Sequence, residues 1–438
     1  MPKKARSIPR LKAKEEVRWL GFTLRGVDRP IFTKHLLVLA ALAFVTKWCT
    51  IIITEGIFSS FIDLFDITYY LKFALRIYSG QIPYVQFPIE YPQGFLLSML
   101  LPLYLLVLAG GMPALLAGDP TGYFLLHQGL MVLFDVGSTL LIYIIGLRLY
   151  NARRAFTAGV LYATAISASY FVLTKYDAYP TFFLLLSLAL FLYGREAAGY
   201  LAGAWGALVK WFPSLALPLF LICDVKRGVK SKLILRNLCL SILLVLAVTL
   251  PFFLLNPSGF LETYTSRTGA TVLTHSFVYY LDFLARTLSG PAIFGGISLL
   301  ITAIAEIGLF IWYYRQPRKD DLTLSSFLFI AVALFIITNP VASPQYLQWI
   351  TPFMALFLAG QAWEILLFYA VQVWGYLEFP LLYNRIYNNI SGYGPAEAGF
   401  PAAAFLFFTV KFALFFLVLG LIIQRILRAE EEETQGVP

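Results

Sequence analysis

Residues 198–222 read AGYLAGAWGALVKWFPSLALPLFLI, an apolar run with Lys210, Trp211 and Pro213 at its midpoint. Basic residues flank this run on both sides, beginning with Arg195. Because basic residues collect on the cytoplasmic side of a membrane, both ends should face the cytoplasm, yet about 25 residues are too few for two crossings. The proline removes a helical hydrogen bond. We therefore expect a broken, re-entrant hairpin, which is tolerated only where protein or a cavity surrounds the break.

The composition of the whole chain is that of a polytopic membrane protein. Of the 438 residues, 59% are hydrophobic and 13% are charged, and the mean hydropathy is +0.76. Apolar runs of roughly 17 to 25 residues, long enough to cross a bilayer, lie near 36–54, 123–147, 155–173, 178–194, 234–256, 291–314, 322–339, 346–361, 363–382 and 401–424. Residues 93–118, interrupted by Pro and Gly, suggest a second re-entrant segment. We predict an all-α fold, a transmembrane helical bundle of about ten to twelve spans with re-entrant hairpins.

The distribution of basic residues predicts the orientation of these spans. When ten spans are threaded from a cytoplasmic amino terminus, 24 of the 33 Lys and Arg residues fall on the cytoplasmic side. The positive-inside rule thus explains the net charge of +9, and we expect no nucleic-acid partner. We predict a basic cytoplasmic segment at 1–35, a single transmembrane domain at 36–428 and an acidic cytoplasmic tail at 429–438. Both termini of this multi-pass protein of the cell membrane would then be cytoplasmic. The predicted outer segments are 55–92, 174–178, 257–290, 340–345 and 383–400, and six basic residues lie in them.

The first predicted outer loop, residues 55–92, contains the carboxylates Asp63, Asp66 and Glu90. Ionisable residues at a bilayer boundary are costly unless they bind or react with something. Residues 67–79 predict a short amphipathic helix on the membrane surface, with Asp66 in its first turn or at its cap. Asp66 could serve only as that cap. A cap needs one carboxylate, however, whereas acid-base chemistry often uses a second to tune the first.

Two lysines are candidates for binding an anion. Lys175 lies in the short link 174–178 together with Asp177, and the two side chains could simply neutralise each other. Lys210 has no acidic residue within a helical turn of it in sequence. At the tip of a broken hairpin it would be a counter-charge for a phosphate; the alternative is that its side chain extends to the membrane surface.

Several motifs follow one another along the chain: Asp66 with Tyr70, Gly80-x-x-Pro83-Tyr84, Glu90-Tyr91-Pro92, Lys175-Tyr176-Asp177, Val209-Lys210-Trp211-Phe212-Pro213 and Ser343-Pro344-Gln345-Tyr346-x-x-Trp349. In order and predicted topology they resemble the GT-C glycosyltransferases, especially the polyprenyl-phosphate-mannose-dependent enzymes of glycosyltransferase family 87. The first loop is also similar to that of the first mannosyltransferase of GPI-anchor synthesis. The resemblance covers about residues 36 to 360 and implies a transmembrane bundle of GT-C type.

The resemblance implies that Asp66 is the general base for the acceptor hydroxyl and that Asp63 is a supporting acid. The expected donor is a polyprenyl- or dolichyl-phosphate hexose, with mannose as the first candidate, in a membrane lipid environment. The expected acceptor is a lipid-linked molecule or a glycan on the outer face, and direct displacement would invert the anomeric carbon. The acids are spaced Asp-x-x-Asp, whereas the family has Asp-x-Asp. This spacing favours metal-independent catalysis over a metal-bridged donor, so no cofactor is expected.

The resemblance also suggests which other residues meet the substrates. The cations available to stabilise the departing phosphate are Lys210, Lys175, Arg76 and His275. The residues expected to contact the substrates are Tyr70, Tyr84, Glu90, Tyr91, Asp177, Gln345 and Tyr346.

A transporter or lipid-linked sugar flippase is the main alternative. Its ion path would use the intramembrane residues Lys210, Asp135, Glu306 and Glu364. This alternative predicts internal repeat symmetry and acids concentrated at the membrane midplane, and the sequence shows neither. A non-catalytic scaffold would not explain why the first outer loop contains these carboxylates.

Overall fold

Helices form almost all of the structure, as the apolar runs predict. The computed structural model describes residues 16–25, 27–60, 62–265, 272–288, 293–383 and 402–434. Within these residues, one two-stranded hairpin, formed by β1 (Glu16–Trp19) and β2 (Phe22–Arg25), is the only sheet. The predicted all-α polytopic architecture is confirmed.

The helices, in chain order, are α1 (Arg29–Ile52), α2 (Phe65–Tyr78), α3 (Leu96–Leu108), α4 (Met112–Leu116), α5 (Thr121–Leu149), α6 (Ala152–Ala163), α7 (Ile166–Thr174), α8 (Ala178–Leu192), α9 (Glu196–Val209), α10 (Ala216–Lys226), α11 (Ser231–Leu255), α12 (Pro257–Thr265), α13 (Phe277–Thr287), α14 (Phe294–Arg315), α15 (Asp321–Thr338), α16 (Leu347–Phe357), α17 (Ala362–Tyr376) and α18 (Ala402–Thr434).

Fewer helices of the described residues are long and apolar enough to cross a membrane unbroken than the apolar runs suggest. Among the described residues, six are long and apolar enough to cross a membrane, namely α1, α5, α11, α14, α15 and α18. The pair α6 and α7, bent by 54°, would make a seventh. The other predicted spans coincide with shorter helices such as α16, in which every residue from Gln348 to Phe357 is buried. A helix surrounded by protein need not match the bilayer thickness, so an apolar run can form a buried helix shorter than a full span.

The apolar run 198–222 forms the predicted broken hairpin. Helix α9 ends at Val209, Lys210 is extended (φ −157°, ψ 151°), and a 3₁₀ turn over Phe212–Leu215 leads into α10. The start of α9 lies beside the end of α10, because the hydroxyl of Tyr200 donates to Oδ2 of Asp224 at 3.0 Å. The two helices are therefore antiparallel, and Lys210 lies at their common tip. With 14 residues, α9 is about 21 Å long, short of the hydrocarbon thickness of about 30 Å.

Two close approaches hold this tip in place. A Cβ on Gly206 would lie 2.8 Å from Cβ of Pro213, so only glycine lets α9 pack against the turn that follows it. A Cβ on Gly94 would lie 2.8 Å from the carbonyl oxygen of Leu208. This second approach brings the segment that contains Glu90 next to the hairpin tip.

Helix α5 separates two polar ends of the bundle. Near its start, His127 packs against Tyr70 of α2, with 5.6 Å between ring centroids. Near its end, Arg148 forms an ion pair of 2.6 Å with Asp321. The helix has 29 residues, or about 43 Å. The acidic loop and the basic Arg148 region, for which the sequence predicts opposite sides of the membrane, therefore lie at opposite ends of the bundle.

The amino-terminal boundary differs from the predicted one. Helix α1 begins at Arg29 rather than near residue 36, because the side chain of Asp28 caps it by accepting from the amide of Ile31 at 3.0 Å. The preceding β hairpin buries Val17, Phe22 and Leu24 against the bundle. At the other terminus, α18 continues into the predicted acidic tail.

Candidate functional site

Helix α2 presents Asp66 at the acidic end of the bundle. The predicted amphipathic helix is present, and Asp66 is its second residue. The cap position is Leu64, and the amide of Phe65 donates to Oδ1 of Asp63 at 3.1 Å. Asp66 therefore does not cap α2, and its carboxylate has other partners.

Lys175 bridges the two carboxylates of the first loop. Its Nζ lies 2.8 Å from Oδ2 of Asp63 and 3.0 Å from Oδ2 of Asp66. Burial lowers the pKa of Lys175, but attraction by Asp66 and Asp63 outweighs that effect and leaves this pKa above its ordinary value. The hydroxyl of Tyr70 also donates to Oδ2 of Asp66, at 3.5 Å. Asp66 is thus held between the Lys175 ammonium and the Tyr70 hydroxyl.

Asp177 pairs with Lys210 instead of with Lys175. Nζ of Lys210 donates to Oδ1 of Asp177 at 2.6 Å, and Nε1 of Trp349 donates to the same oxygen at 2.6 Å. The interpretation that Lys175 and Asp177 neutralise each other is therefore wrong. Lys210 is 9% exposed, so the alternative in which its side chain extends to the membrane surface is also wrong.

Three aromatic rings surround the Lys210 ammonium. Its Nζ lies 4.7 Å from the ring centroid of Tyr176, 5.0 Å from that of Trp349 and 5.3 Å from that of Tyr346. Trp349 itself is stacked between Phe212, at 4.2 Å, and Tyr346, at 3.6 Å. Aromatic faces attract a desolvated cation. The rings and Asp177 together hold a charged lysine at the hairpin tip.

Two cavities meet at Lys210. The first, which we call cavity A, has a volume of about 600 Å³ and contains Asp63, Asp66 and Lys175 in its wall. The second, cavity B, is also about 600 Å³ and contains Glu90 in its wall. The residues that line both cavities are Tyr91, Lys210, Val341 and Tyr346.

Most of the predicted site residues lie in these walls. In addition to those just named, His275 and Gln345 line cavity A. Four predicted residues are not among the wall residues of either cavity: Arg76, Tyr70, Tyr84 and Asp177. The last three are fully buried.

The four residues outside the walls have other contacts. The guanidinium of Arg76 lies 3.9 Å from the ring centroid of Phe87, and its Nε donates to Gln81. The hydroxyl of Tyr84 donates to the carbonyl of Tyr91 at 2.9 Å, so it shapes the loop that carries Glu90. Tyr70 contacts Asp66, and Asp177 contacts Lys210. The substrate contacts of Tyr70, Tyr84 and Asp177 and the phosphate contact of Arg76 remain predictions.

His275 lies in a buried environment that disfavours a positive charge. Burial, with a smaller effect of Lys411, lowers the pKa of His275 to about 3. Its role as a cation for a phosphate remains a prediction.

Arg286 is a wall residue of cavity B that sequence reasoning did not select. It lies on α13, within the long predicted outer segment 257–290. Its only sequence signal is that it is one of six basic residues predicted to lie outside. Trp349 was part of a matched motif, but its hydrogen bond to Asp177 could not be seen in the sequence.

A metal site is not evident in the described part of the chain, where no group of three or more His, Cys, Asp or Glu side chains comes together. The metal-independent mechanism remains a prediction. The chain matches no protein-family model, no curated protein and no solved structure. The resemblance to GT-C glycosyltransferases therefore stands on the sequence motifs alone.

Proposed function

We propose that this protein is a GT-C-type membrane glycosyltransferase. It moves a hexose, with mannose as the first candidate, from a polyprenyl- or dolichyl-phosphate sugar to a lipid-linked or glycan acceptor on the outer face. The observation that carries the proposal is that Asp66, a carboxylate, and Lys210, a buried ammonium, line the same cavity. A base and a phosphate counter-charge in one cavity are the two groups that glycosyl transfer from a phosphosugar needs.

Asp66 acts as the general base in this proposal. The acceptor hydroxyl enters cavity A and gives its proton to the Asp66 carboxylate as its oxygen attacks the anomeric carbon. The bond from that carbon to the phosphate oxygen breaks, the lipid phosphate leaves, and the configuration inverts. Lys175 and Tyr70 orient the carboxylate through the contacts described above.

Lys210 stabilises the negative charge of the departing phosphate. An ammonium that is already positioned adds no reorganisation cost when charge develops in the transition state. Asp177 offsets part of this charge through its contact with Nζ of Lys210, and it is not among the wall residues of either cavity. The ring of Tyr346, which lines both cavities, is a surface on which the sugar can stack.

The transporter alternative has less support from the contacts within the bundle. Asp135 forms an ion pair of 2.9 Å with Lys47, and both side chains are completely buried. Glu364 forms an ion pair with Arg425. Two of the acids that an ion path would use are therefore already neutralised by partners.

Transfer by the purified protein tests the proposal. We expect it to transfer label from polyprenyl-phosphate mannose to an acceptor extracted with host membranes, and Asp66→Asn to lose this activity by roughly a hundredfold or more. Asp63→Asn should be less harmful. Asp119→Asn is the matched control, because Asp119 is an exposed acid that precedes α5. Steady turnover by Asp66→Asn would refute the role of the base, and absence of transfer with mannosyl, glucosyl and galactosyl donors would refute the proposed function.

A further inference from the structure

Cavity B has a second cation in addition to Lys210. Arg286 is exposed on α13 and forms part of the cavity wall. The acids in the same wall are Glu90 and Asp282. A ligand phosphate can bind only to the cations that these acids do not neutralise.

Asp282 is committed to the helix that follows it. Its Oδ1 accepts from the amide of Phe294 at 2.8 Å, and its Oδ2 accepts from the amide of Gly295 at 2.9 Å. Both carboxylate oxygens thus cap the amino terminus of α14. Arg286 follows Asp282 by four residues, which places it on the same face of α13 one turn further along.

The rest of the cavity B wall is largely apolar. It includes Phe212, Val272, Leu299 and Phe335. Leu299 is 58% exposed and lies on α14, one of the six helices apolar enough to cross a membrane. Cavity B therefore combines two cations and the acid Glu90 with an apolar wall that continues onto α14.

Direct displacement needs space on both sides of the anomeric carbon. The attacking oxygen and the departing phosphate must lie on opposite faces of that carbon. Asp66 lines cavity A and not cavity B, Arg286 lines cavity B and not cavity A, and Lys210 lines both. The two cavities thus provide separate places for a base and for a leaving group, with one cation between them.

We propose that cavity B binds the phosphate and the adjoining isoprenoid units of the lipid-linked donor, and that Arg286 is a phosphate-binding residue together with Lys210. Cavity A then receives the acceptor. The inference about cavity A rests on the proposed function. The affinity of cavity B for a lipid phosphate does not, because it can be measured without any sugar.

Equilibrium binding of polyprenyl monophosphate to the purified full chain tests this proposal. We expect Arg286→Gln to weaken binding by roughly tenfold or more, because a charge-assisted hydrogen bond is lost, and Arg286→Lys to restore part of it. Lys72→Gln is the matched control, since it removes one positive charge from an exposed position on α2. Thermal stability of each variant is measured in parallel, so that misfolding is not mistaken for lost binding.

Two further ligands show whether the lipid or the phosphate supplies the affinity of cavity B. Polyprenol, which lacks the phosphate, should bind much more weakly, and inorganic phosphate should compete only at high concentration. Wild-type affinity in a folded Arg286→Gln variant, or equal affinity for polyprenol and its phosphate, would overturn the proposal. In transfer assays Arg286→Gln should raise KM for the donor and not for the acceptor, and the reverse result would overturn the assignment of the two cavities. A wild-type protein that binds the lipid phosphate through Arg286 but transfers no sugar would refute the glycosyltransferase function alone.

Discussion

Lys210 and Asp177 form a buried ion pair of 2.6 Å, although 33 residues separate them in sequence. Asp177 is completely inaccessible to solvent, while Lys210 retains contact with both cavities. The acid therefore fixes the position of a lysine that lines both cavities. Such a pair fixes the position of its two side chains more than it stabilises the fold, because desolvation of two charges cancels much of their attraction.

A double-mutant cycle separates the structural role of Lys210 from its functional role. Lys210→Gln leaves Asp177 buried and without its cation, which should cost about 3 to 5 kcal/mol of unfolding free energy. Adding Asp177→Asn should restore most of that stability, because no uncompensated charge remains. Transfer activity should stay low in the double variant, since the phosphate counter-charge is still missing. Thermal unfolding in detergent and donor kinetics are the measurements.

The opposite pattern would change the interpretation of this lysine. Recovery of wild-type donor kinetics in the Lys210→Gln, Asp177→Asn variant would mean that Lys210 is needed only to balance Asp177. Lys210→Arg keeps the charge and should retain part of the activity.

Trp349→Phe should destabilise the hairpin tip while keeping its ring stack. The substitution preserves an aromatic ring between Phe212 and Tyr346 but removes the donor to Asp177. Loss of a buried hydrogen bond to a charged group should cost about 1.5 to 3 kcal/mol. The control is Trp374→Phe, which loses a bond of 3.1 Å to the neutral carbonyl of Phe407 and should cost less. Equal effects of the two substitutions on thermal unfolding would contradict the importance of the Asp177 contact.

The cluster around Lys175 makes a prediction about alkaline pH. Its folded pKa lies above the ordinary value of 10.5, so its contribution to the unfolding free energy is complete below about pH 10.5 and is lost as pH rises through the folded pKa. Wild type should therefore lose stability at alkaline pH more steeply than Lys175→Met, in which that titration is absent. Thermal unfolding measured across the alkaline range gives both slopes. Parallel slopes would show that the pKa of Lys175 is not raised by the fold.

The orientation in the membrane can be tested with two matched serine-to-cysteine substitutions. Ser79 follows α2 at the acidic end and Ser231 begins α11, and both are exposed. In a background with Cys49, Cys223 and Cys239 replaced by alanine, a membrane-impermeant thiol reagent should label Ser79→Cys in intact cells. Ser231→Cys should be labelled only after lysis. Labelling of Ser231→Cys alone in intact cells would invert the proposed topology. The predicted outer segment 383–400 lies almost entirely outside the described residues.

Much of the fold could be predicted because its causes are local. Proline and a charged residue inside an apolar run predicted the break at residues 210–213, and the structure contains it. The periodic apolar residues of 67–79 predicted α2 to within two residues. The number of spans remains a prediction, because an apolar run looks the same whether its helix faces lipid or is enclosed by other helices, as α16 is.

The candidate site was only partly predictable for a related reason. Loop carboxylates and intramembrane lysines can be recognised one at a time, since each is costly to bury. The sequence does not show which acid neutralises which lysine, because the partners come from segments far apart in the chain. Arg286 illustrates the limit most clearly: its relation to Lys210 through cavity B exists only in the folded chain.

The sequence by itself determined that this is a helical membrane protein, that its apolar run 198–222 breaks at Lys210, and that acidic groups gather in its first loop. The tertiary structure alone decided that Lys175 forms ion pairs with Asp63 and Asp66, and that Asp177 forms an ion pair with Lys210. Lys175 ends α7 in an extended conformation (φ −134°, ψ 175°), whereas Asp177 already has helical angles (φ −63°, ψ −20°), and their side chains reach different partners. Hydrophobicity and helix breaking are properties of a segment, but electrostatic pairing in a low-dielectric interior depends on distances of a few ångströms that only the packing of helices sets.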